Sequence, residues 1–303
     1  MTTATIALDQ SRRVRRGQIL VALAAVAWST AGVLQRQLSL DTATQVAGRA
    51  AFAGAALLAY VMVAERGRVA SAFRSIGLAG VAVAFCVAIA SGSFIAALNH
   101  TNVARVLFIL AVAPILAALL ARAALGEPIT RRTVVAMGVA LAGVAVMLGA
   151  PGEGSLAGDG LAFLTASAFA VMLVLTRWRQ DVSMAPATCL SQVLLVVAFA
   201  PFASLGDIQA ADVGWLAALG IGQIGLGFAL LTAGARLIPA AQVGLITLLE
   251  TVLGPLWVWI ALDERPSALT LVGGTIVIAA IVFQTRAPSP DEPGDEHALP
   301  APH

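Results

Sequence analysis

The sequence predicts an all-α integral membrane protein with ten transmembrane helices, and three observations support this fold class. Of the 303 residues, 59% are apolar and only 11% are charged, and the mean hydropathy is +0.92. A soluble domain keeps roughly 25% charged residues to cover its surface. The apolar residues also fall into long runs that short polar segments separate. Lipid is the solvent that suits such a chain.

The ten predicted spans follow from length, because about 20 apolar residues at 1.5 Å each cross a hydrocarbon core of about 30 Å. They cover residues 18–38, 42–64, 76–98, 101–122, 130–149, 156–177, 185–203, 212–233, 240–262 and 268–285. Arginines at 12–16 precede the first span, as in a signal peptide. That span is longer than the ~7–15 apolar residues of a signal peptide, so we interpret it as retained.

Arginine placement predicts that both termini are cytoplasmic, because cytoplasmic loops are enriched in positive charge. All 18 basic residues are arginines. All but four of them fall in the termini or in the loops on the same side of the membrane as the termini. The exceptions are Arg36, Arg49, Arg105 and Arg265.

An internal repeat divides the spans into two sets of five. Residues 77–127 align without a gap with 214–264, and residues 17–36 align with 158–177. Because each repeat has an odd number of spans, the second lies inverted in the membrane, as in many secondary transporters. We expect a basic N-terminus at 1–16, repeats at 17–150 and 151–286, and a disordered, Pro-rich, acidic tail at 287–303.

Two stretches resemble motifs of the EamA-like drug/metabolite transporters. Residues 113–120, which lead into Leu125-Gly126-Glu127, are similar to the motif of the family's fourth helix, and residues 248–253, which lead into Asp263-Glu264, to its ninth-helix copy. The family's Glu-Pro pair is here Glu250-Thr251. The resemblance covers residues 17–286 and implies ten helices in two inverted halves that export amino acids or other metabolites. The chain looks most similar to the amino-acid exporters, including the aromatic amino-acid and viologen type.

Glu250 is the sharpest candidate for substrate binding or proton coupling, because an ionisable group in mid-span is by default functional. The alternative is a structural glutamate at a helix contact. Arg49 would either pair with Glu250, attract a substrate carboxylate or tie a neighbouring helix. The other candidates are polar or aromatic residues within spans or at their ends: Trp28, Ser29, Ser91, Asn99, His100, Gln223, Gln242 and Trp257. For each, helix packing, an interhelical hydrogen bond or contact with water is the competing interpretation.

Two prolines within spans predict kinks, because proline removes a backbone hydrogen bond. They are Pro114 and Pro255, which we interpret as hinges or as fixed kinks. Residues 220–225 match the Gly-x-Gly-x-x-Gly pattern, but no strand precedes them and no acidic residue follows about 20 residues on, so a dinucleotide site is rejected. Cys86 and Cys189 lie within apolar runs and predict packing residues rather than a disulfide or metal pair.

The function predicted from the sequence is export of small metabolites by alternating access around a central cavity between the repeats. A membrane-embedded enzyme and a channel are the alternatives. The sequence has no His-Glu-x-x-His motif, nucleophile elbow or Walker A motif, and it offers no charge ring or filter-like loop for a channel. We expect no metal, cofactor or nucleic acid partner. The expected partners are lipid and a small solute, with proton coupling as an option, in a monomer or homodimer of a bacterial inner membrane.

Overall fold

The computed structural model describes residues 3–149, 155–204, 206 and 208–286, with side chains from residue 10 onward. Ten helices in this part of the chain are long and apolar enough to span a membrane. We label them α1 to α10: Gln10–Gln35, Thr42–Ala64, Gly77–His100, Val103–Leu125, Arg131–Leu148, Leu156–Trp178, Ala185–Phe202, Ala210–Ala235, Ala240–Leu262 and Ala268–Thr285. The predicted count of ten is confirmed. The tail predicted at 287–303 lies outside the described residues.

The first helix begins earlier than the hydropathy predicts. Helical structure runs without a break from Thr3 to Ser29 and includes the basic segment at 12–16. A short helix, Val69–Ser75, also lies between α2 and α3. Both elements are too polar or too short for a hydropathy window to detect.

Side-chain caps explain where many of the spans begin. Five polar residues stand at the N-cap and accept a hydrogen bond from the backbone N–H three residues on, which satisfies a free donor of the first turn. They are Asp41, Asn102, Thr130, Ser155 and Ser267, at the starts of α2, α4, α5, α6 and α10.

The ends of α4 and α9 share one geometry. Gly126 follows α4 with a φ of 69°, and Asp263 follows α9 with a φ of 56°. Both residues have the left-handed backbone that closes a helix. The sequence repeat aligns these two residues, so equivalent positions carry the same C-cap although only one of them is glycine.

Four spans are irregular within the membrane. A turn at 111–112 divides α4 into Val103–Leu110 and Ala113–Leu125. A turn at Leu248 divides α9 into Ala240–Thr247 and Leu249–Leu262. A turn at Thr30 interrupts α1. In α8, residues Ala218–Gly225 form a π-helix, a rare form that often marks functional sites.

The two proline candidates differ in their surroundings. Pro114 lies at the start of the second part of α4, directly after the turn. Pro255 lies inside the continuous segment Leu249–Leu262, so the interruption of α9 falls at Leu248 and not at this proline.

Helix packing follows a regular scheme. The helix α1 packs against α8 and α9, and α6 packs against α3 and α4. The remaining main pairs are α2 with α7, α2 with α8, α3 with α7, α4 with α9 and α5 with α10. Exchange of the first five helices with the second five leaves this scheme unchanged. The outer surface is apolar, with Val63, Leu78 and Ile260 more than two-thirds exposed, as lipid-facing side chains would be.

Candidate substrate site

The centre of the bundle holds an aromatic cluster around Trp28 of α1. The Trp28 ring contacts Phe228 of α8 and Phe169 of α6 edge to face, with ring centroids 5.3 Å and 6.2 Å apart. Edge-to-face contacts of this kind are favourable because the ring edge is positive and the face negative. The cluster therefore joins one helix of the first five to two helices of the second five.

A glycine makes room for the Trp28 ring. A Cβ added at Gly227 of α8 would overlap the indole nitrogen of Trp28. Trp28 is 8% exposed, and its Nε1 is buried without a hydrogen-bond partner in the described part of the chain. Because buried donors are nearly always bonded, this N–H is available to an acceptor on a bound solute.

The neighbouring residue Ser29 links α1 to α9. Trp257 Nε1 donates a hydrogen bond to Ser29 Oγ at 2.8 Å, and Ser29 Oγ donates to the backbone oxygen of Val26 at 2.7 Å. The backbone of Gly254 lies against the same point of α1. These contacts fix the second segment of α9 along the C-terminal half of α1.

Glu250 lies on the face of α9 that approaches α1. It precedes Gly254 by four residues and Trp257 by seven, and these spacings place side chains on one face of a helix. Its backbone lies in the first turn after the interruption at Leu248. Among the described residues its carboxylate has neither a hydrogen bond nor an ion pair, and the residue is half-buried.

Two glutamines add buried acceptors on α8 and α9, the helices that pack against α1. Gln223 lies on the π-helix of α8, one turn before Gly227, and is 6% exposed. Gln242 lies on the first segment of α9, two turns before Glu250, and is 9% exposed. Both Oε1 atoms are buried without partners within the described residues.

Arg49 does not pair with Glu250. It lies on α2, where the backbone oxygen of Arg49 and the side chain of Phe52 lie against Gly220 of α8. Its guanidinium is half-buried and forms no ion pair with any described carboxylate. Among the described residues, neither Arg49 nor Glu250 therefore has an ion-pair partner.

Three other candidates stand apart from the aromatic cluster. Asn99 and His100 are exposed at the end of α3, where the backbone oxygen of His100 accepts a hydrogen bond from Ser155. Ser91 is half-buried on α3, two residues before Ser93. Ser93 bonds Thr165 of α6 at 2.8 Å, so Ser93 holds these two helices together, while Ser91 faces a different side of α3.

Sequence reasoning did not single out Phe169, Phe228 or Gly227. Phe169 had a signal, because the repeat aligns it with Trp28 and the two rings meet. Phe228 and Gly227 had none, since an apolar residue and a glycine inside a span look like every other residue of that span. No group of three or more metal-ligating side chains occurs in the part of the chain that the structure describes.

Comparison with known proteins places this geometry in a family. The model of the EamA-like transporter family matches the chain twice, over residues 15–149 and 156–286. A crystal structure, whose title reads only "Crystal structure of protein", is 21% identical with a TM-score of 0.78, over 89% of this chain and 96% of that chain. This likeness shows a shared fold. No curated protein sequence matches the chain.

Proposed function

We propose that this chain, a member of the EamA-like transporter family, exports small amine-bearing metabolites, amino acids first, from the cytoplasm by alternating access. Glu250 carries the proposal, since its unpaired carboxylate lies within a membrane-spanning bundle. A charge in that position is costly, by about 3 kcal/mol on insertion scales, and such charges mark substrate or ion pathways.

Polar groups on α8 and α9, the helices that pack against α1, favour an ammonium group on the solute. Glu250, Gln223 and Gln242 offer acceptors, and the Trp28 N–H is the one unpartnered buried indole donor in the described residues. The faces of Trp28 and Phe228 attract cations because their π electrons are negative. Arg49, on α2, which also packs against α8, would attract the carboxylate of an amino acid.

Alternating access rests on the symmetry of the two halves. The family model matches each half separately, the interruptions of α4 and α9 fall at equivalent residues, and the packing scheme is unchanged when the halves are exchanged. Two halves with the same architecture and opposite orientation can each close one side of a central cavity. We infer that the termini are cytoplasmic and that the membrane is a bacterial inner membrane. We call the end of the bundle with Glu127 and Arg177 the inner end, and the end with Arg36 and Glu264 the outer end.

A transport assay in proteoliposomes tests the function. Purified protein is reconstituted and given a panel of labelled amino acids and amine analogues, with and without an imposed pH gradient. We expect uptake that saturates and that unlabelled substrate on the opposite side accelerates. A flux that rises without saturation would indicate a channel, and a lack of uptake across the whole panel would refute the proposed substrate class.

A further inference from the structure

Two ion pairs occupy equivalent positions at opposite ends of the bundle. Arg177, at the end of α6, donates from Nε to Glu127 Oε1 at 2.7 Å. Arg36, just after α1, donates from Nη1 to Glu264 Oε1 at 2.6 Å. The sequence repeat aligns Arg36 with Arg177 and Glu127 with Glu264. We call the first pair the inner lock and the second pair the outer lock.

The inner lock is part of a network that joins four helices. Arg177 Nη1 also donates to the backbone oxygen of Arg236, at the end of α8, at 3.0 Å. Glu127 Oε2 accepts from the backbone N–H of Ala240, at the start of α9, at 3.3 Å. The two side chains are 17% and 18% exposed. Hydrogen bonds to charged groups are the stronger ones, and these are partly shielded from water.

The outer lock is a single exposed contact. Its side chains are 51% and 57% exposed, and in the described part of the chain they bind only each other. The hydrogen bond from Arg36 holds the pKa of Glu264 below its ordinary value, so the carboxylate stays charged. Exposed ion pairs of this kind contribute little stability, because water competes for both groups and salt screens them.

The repeat identifies the contacts that would complete the outer lock. In the inner lock, Arg177 also bonds Arg236 and Glu127 also bonds Ala240. The repeat aligns these with a hydrogen bond from Arg36 to the backbone oxygen of Asn99 and one from the Val103 N–H to Glu264. Neither bond occurs among the described residues. At this end of the bundle the first turn of α4 is capped by Asn102, which accepts a hydrogen bond from the Arg105 N–H. The inner network crosses from α6 to α8, and its equivalent would cross from α1 to α3.

We propose that these two ion pairs are the alternating locks of the transport cycle. In the structure both ion pairs are formed, at 2.7 Å in the inner lock and 2.6 Å in the outer lock, but only the inner lock has the additional backbone bonds. When the protein changes to the opposite state, the inner network loses its bonds to Arg236 and Ala240. The outer lock then gains the bonds to Asn99 and Val103 that draw α1 and α3 together. This inference rests on the proposed alternating access.

A cross-linking assay tests the locks without any substrate. In a background with Cys86→Ala and Cys189→Ala, cysteines replace Gln37, which follows α1 next to Arg36 of the outer lock, and His100, at the end of α3. Both native side chains are exposed and belong to neither lock. The rate of disulfide formation in proteoliposomes then reports how often the outer end closes.

Removal of the inner lock and removal of the outer lock are expected to shift the cross-linking rate in opposite directions. E127Q weakens the inner network and favours the outer-closed state, so we expect cross-linking about tenfold faster, the effect of one charged hydrogen bond. E264Q removes the carboxylate that the outer-closed state needs, so we expect slower cross-linking. R177Q and R36Q are the second pair of variants and should follow E127Q and E264Q respectively.

D181N is the matched control. Asp181, 65% exposed, forms an ion pair with Arg179, which is 29% exposed and lies two residues away, and D181N should leave the rate unchanged. Equal rates in the inner- and outer-lock variants, or shifts in the same direction, would overturn the locks. Opposite shifts without uptake of any panel solute would keep the locks and refute the substrate proposal, so the two failures are distinguishable.

Discussion

The carboxylate of Glu250 and the guanidinium of Arg49 lie within α9 and α2, and neither forms an ion pair with another described residue. An unpaired charge within the membrane costs free energy, and an ion pair between Glu250 and Arg49 would lower that cost. They lie on α9 and α2, which are not packing partners. Under the proposed function, the ammonium and carboxylate of a zwitterionic solute would neutralise both groups together.

Replacement of Glu250 by glutamine tests this role directly. E250Q keeps the size of the side chain and removes both its charge and its exchangeable proton. We expect transport of amine-bearing substrates to fall at least about tenfold, the scale of a lost charged hydrogen bond, and its dependence on an imposed pH gradient to disappear. Initial rates in proteoliposomes, at equal amounts of reconstituted protein, measure both effects.

The control for this prediction is E65Q. Glu65 follows α2 outside the membrane-spanning segments, so the same chemical change there should leave both the rate and the pH dependence unchanged. Wild-type kinetics in E250Q would remove Glu250 from the transport mechanism.

The position of the Trp28 ring depends on a missing side chain. A methyl group at Gly227 would overlap the indole nitrogen, so G227A should displace the ring from Phe228 and lower the transport rate. G222A is the matched control on the same helix, because a Cβ at Gly222 meets nothing within 4 Å. Both variants are compared by initial transport rate and by intrinsic tryptophan fluorescence. Normal transport in G227A together with an altered spectrum would show that the ring's position is irrelevant to the substrate.

Close backbone approach between elements is strongest where α5 meets α10. A Cβ at Gly143 would come 2.9 Å from the backbone oxygen of Gly273 and 2.9 Å from the Val277 side chain. Small residues permit such contacts between membrane helices, where van der Waals packing takes the place of the hydrophobic effect.

We therefore expect G143A to destabilise the protein by about 1–3 kcal/mol, the usual cost of overpacking. Thermal unfolding in detergent, followed by circular dichroism, measures the effect as a lower midpoint. The control is G138A on the same helix, where a Cβ meets nothing within 4 Å. Alanine is the better helix former, so G138A should unfold at the wild-type temperature or above it. An unfolding midpoint that rises equally in G143A and G138A would mean that helix propensity outweighs packing at this interface.

The elements of this protein differ in how far their form could be predicted. Ten spans were predictable because the length of an apolar run is a local property of the chain. The alignment of Gly126 with Asp263 also anticipated two equivalent helix ends. The π-helix in α8 was not predictable, because Gly220 and Gly225 within it allow α2 to approach closely, and sequence does not state which helices meet. The interruption at Leu248 was missed for a related reason, since no proline or glycine stands there.

The candidate site shows the same division. Glu250 could be identified from sequence, because a carboxylate in an apolar run is conspicuous by itself. The contact of Trp28 with Phe228 and the bond of Trp257 to Ser29 join residues about 200 positions apart. Such contacts depend on the packing of α1 against α8 and α9. Hydropathy predicts that the helices exist but not which of them are neighbours.

At the scale of the whole molecule, every main helix pair has a counterpart when the two halves are exchanged. The two halves share only part of their sequence, and they differ in the residues that carry chemistry. Glu250 in α9 aligns with Ala113 in α4, and Phe169 in α6 aligns with Trp28 in α1. The frame is symmetric while the candidate site is not, as expected of a carrier that moves one solute through one asymmetric site.

Opposite orientation of the halves is the prediction on which this symmetry depends. Gln37 follows α1, and its repeat equivalent, Trp178, ends α6; both are exposed. In the cysteine-free background, we expect Q37C to react with a membrane-impermeant maleimide in intact cells and W178C to react only after permeabilisation. Because both side chains are exposed, a difference in labelling reports the side of the membrane rather than local burial. Labelling of both from the same side would show parallel halves, and labelling of W178C alone in intact cells would place the termini outside.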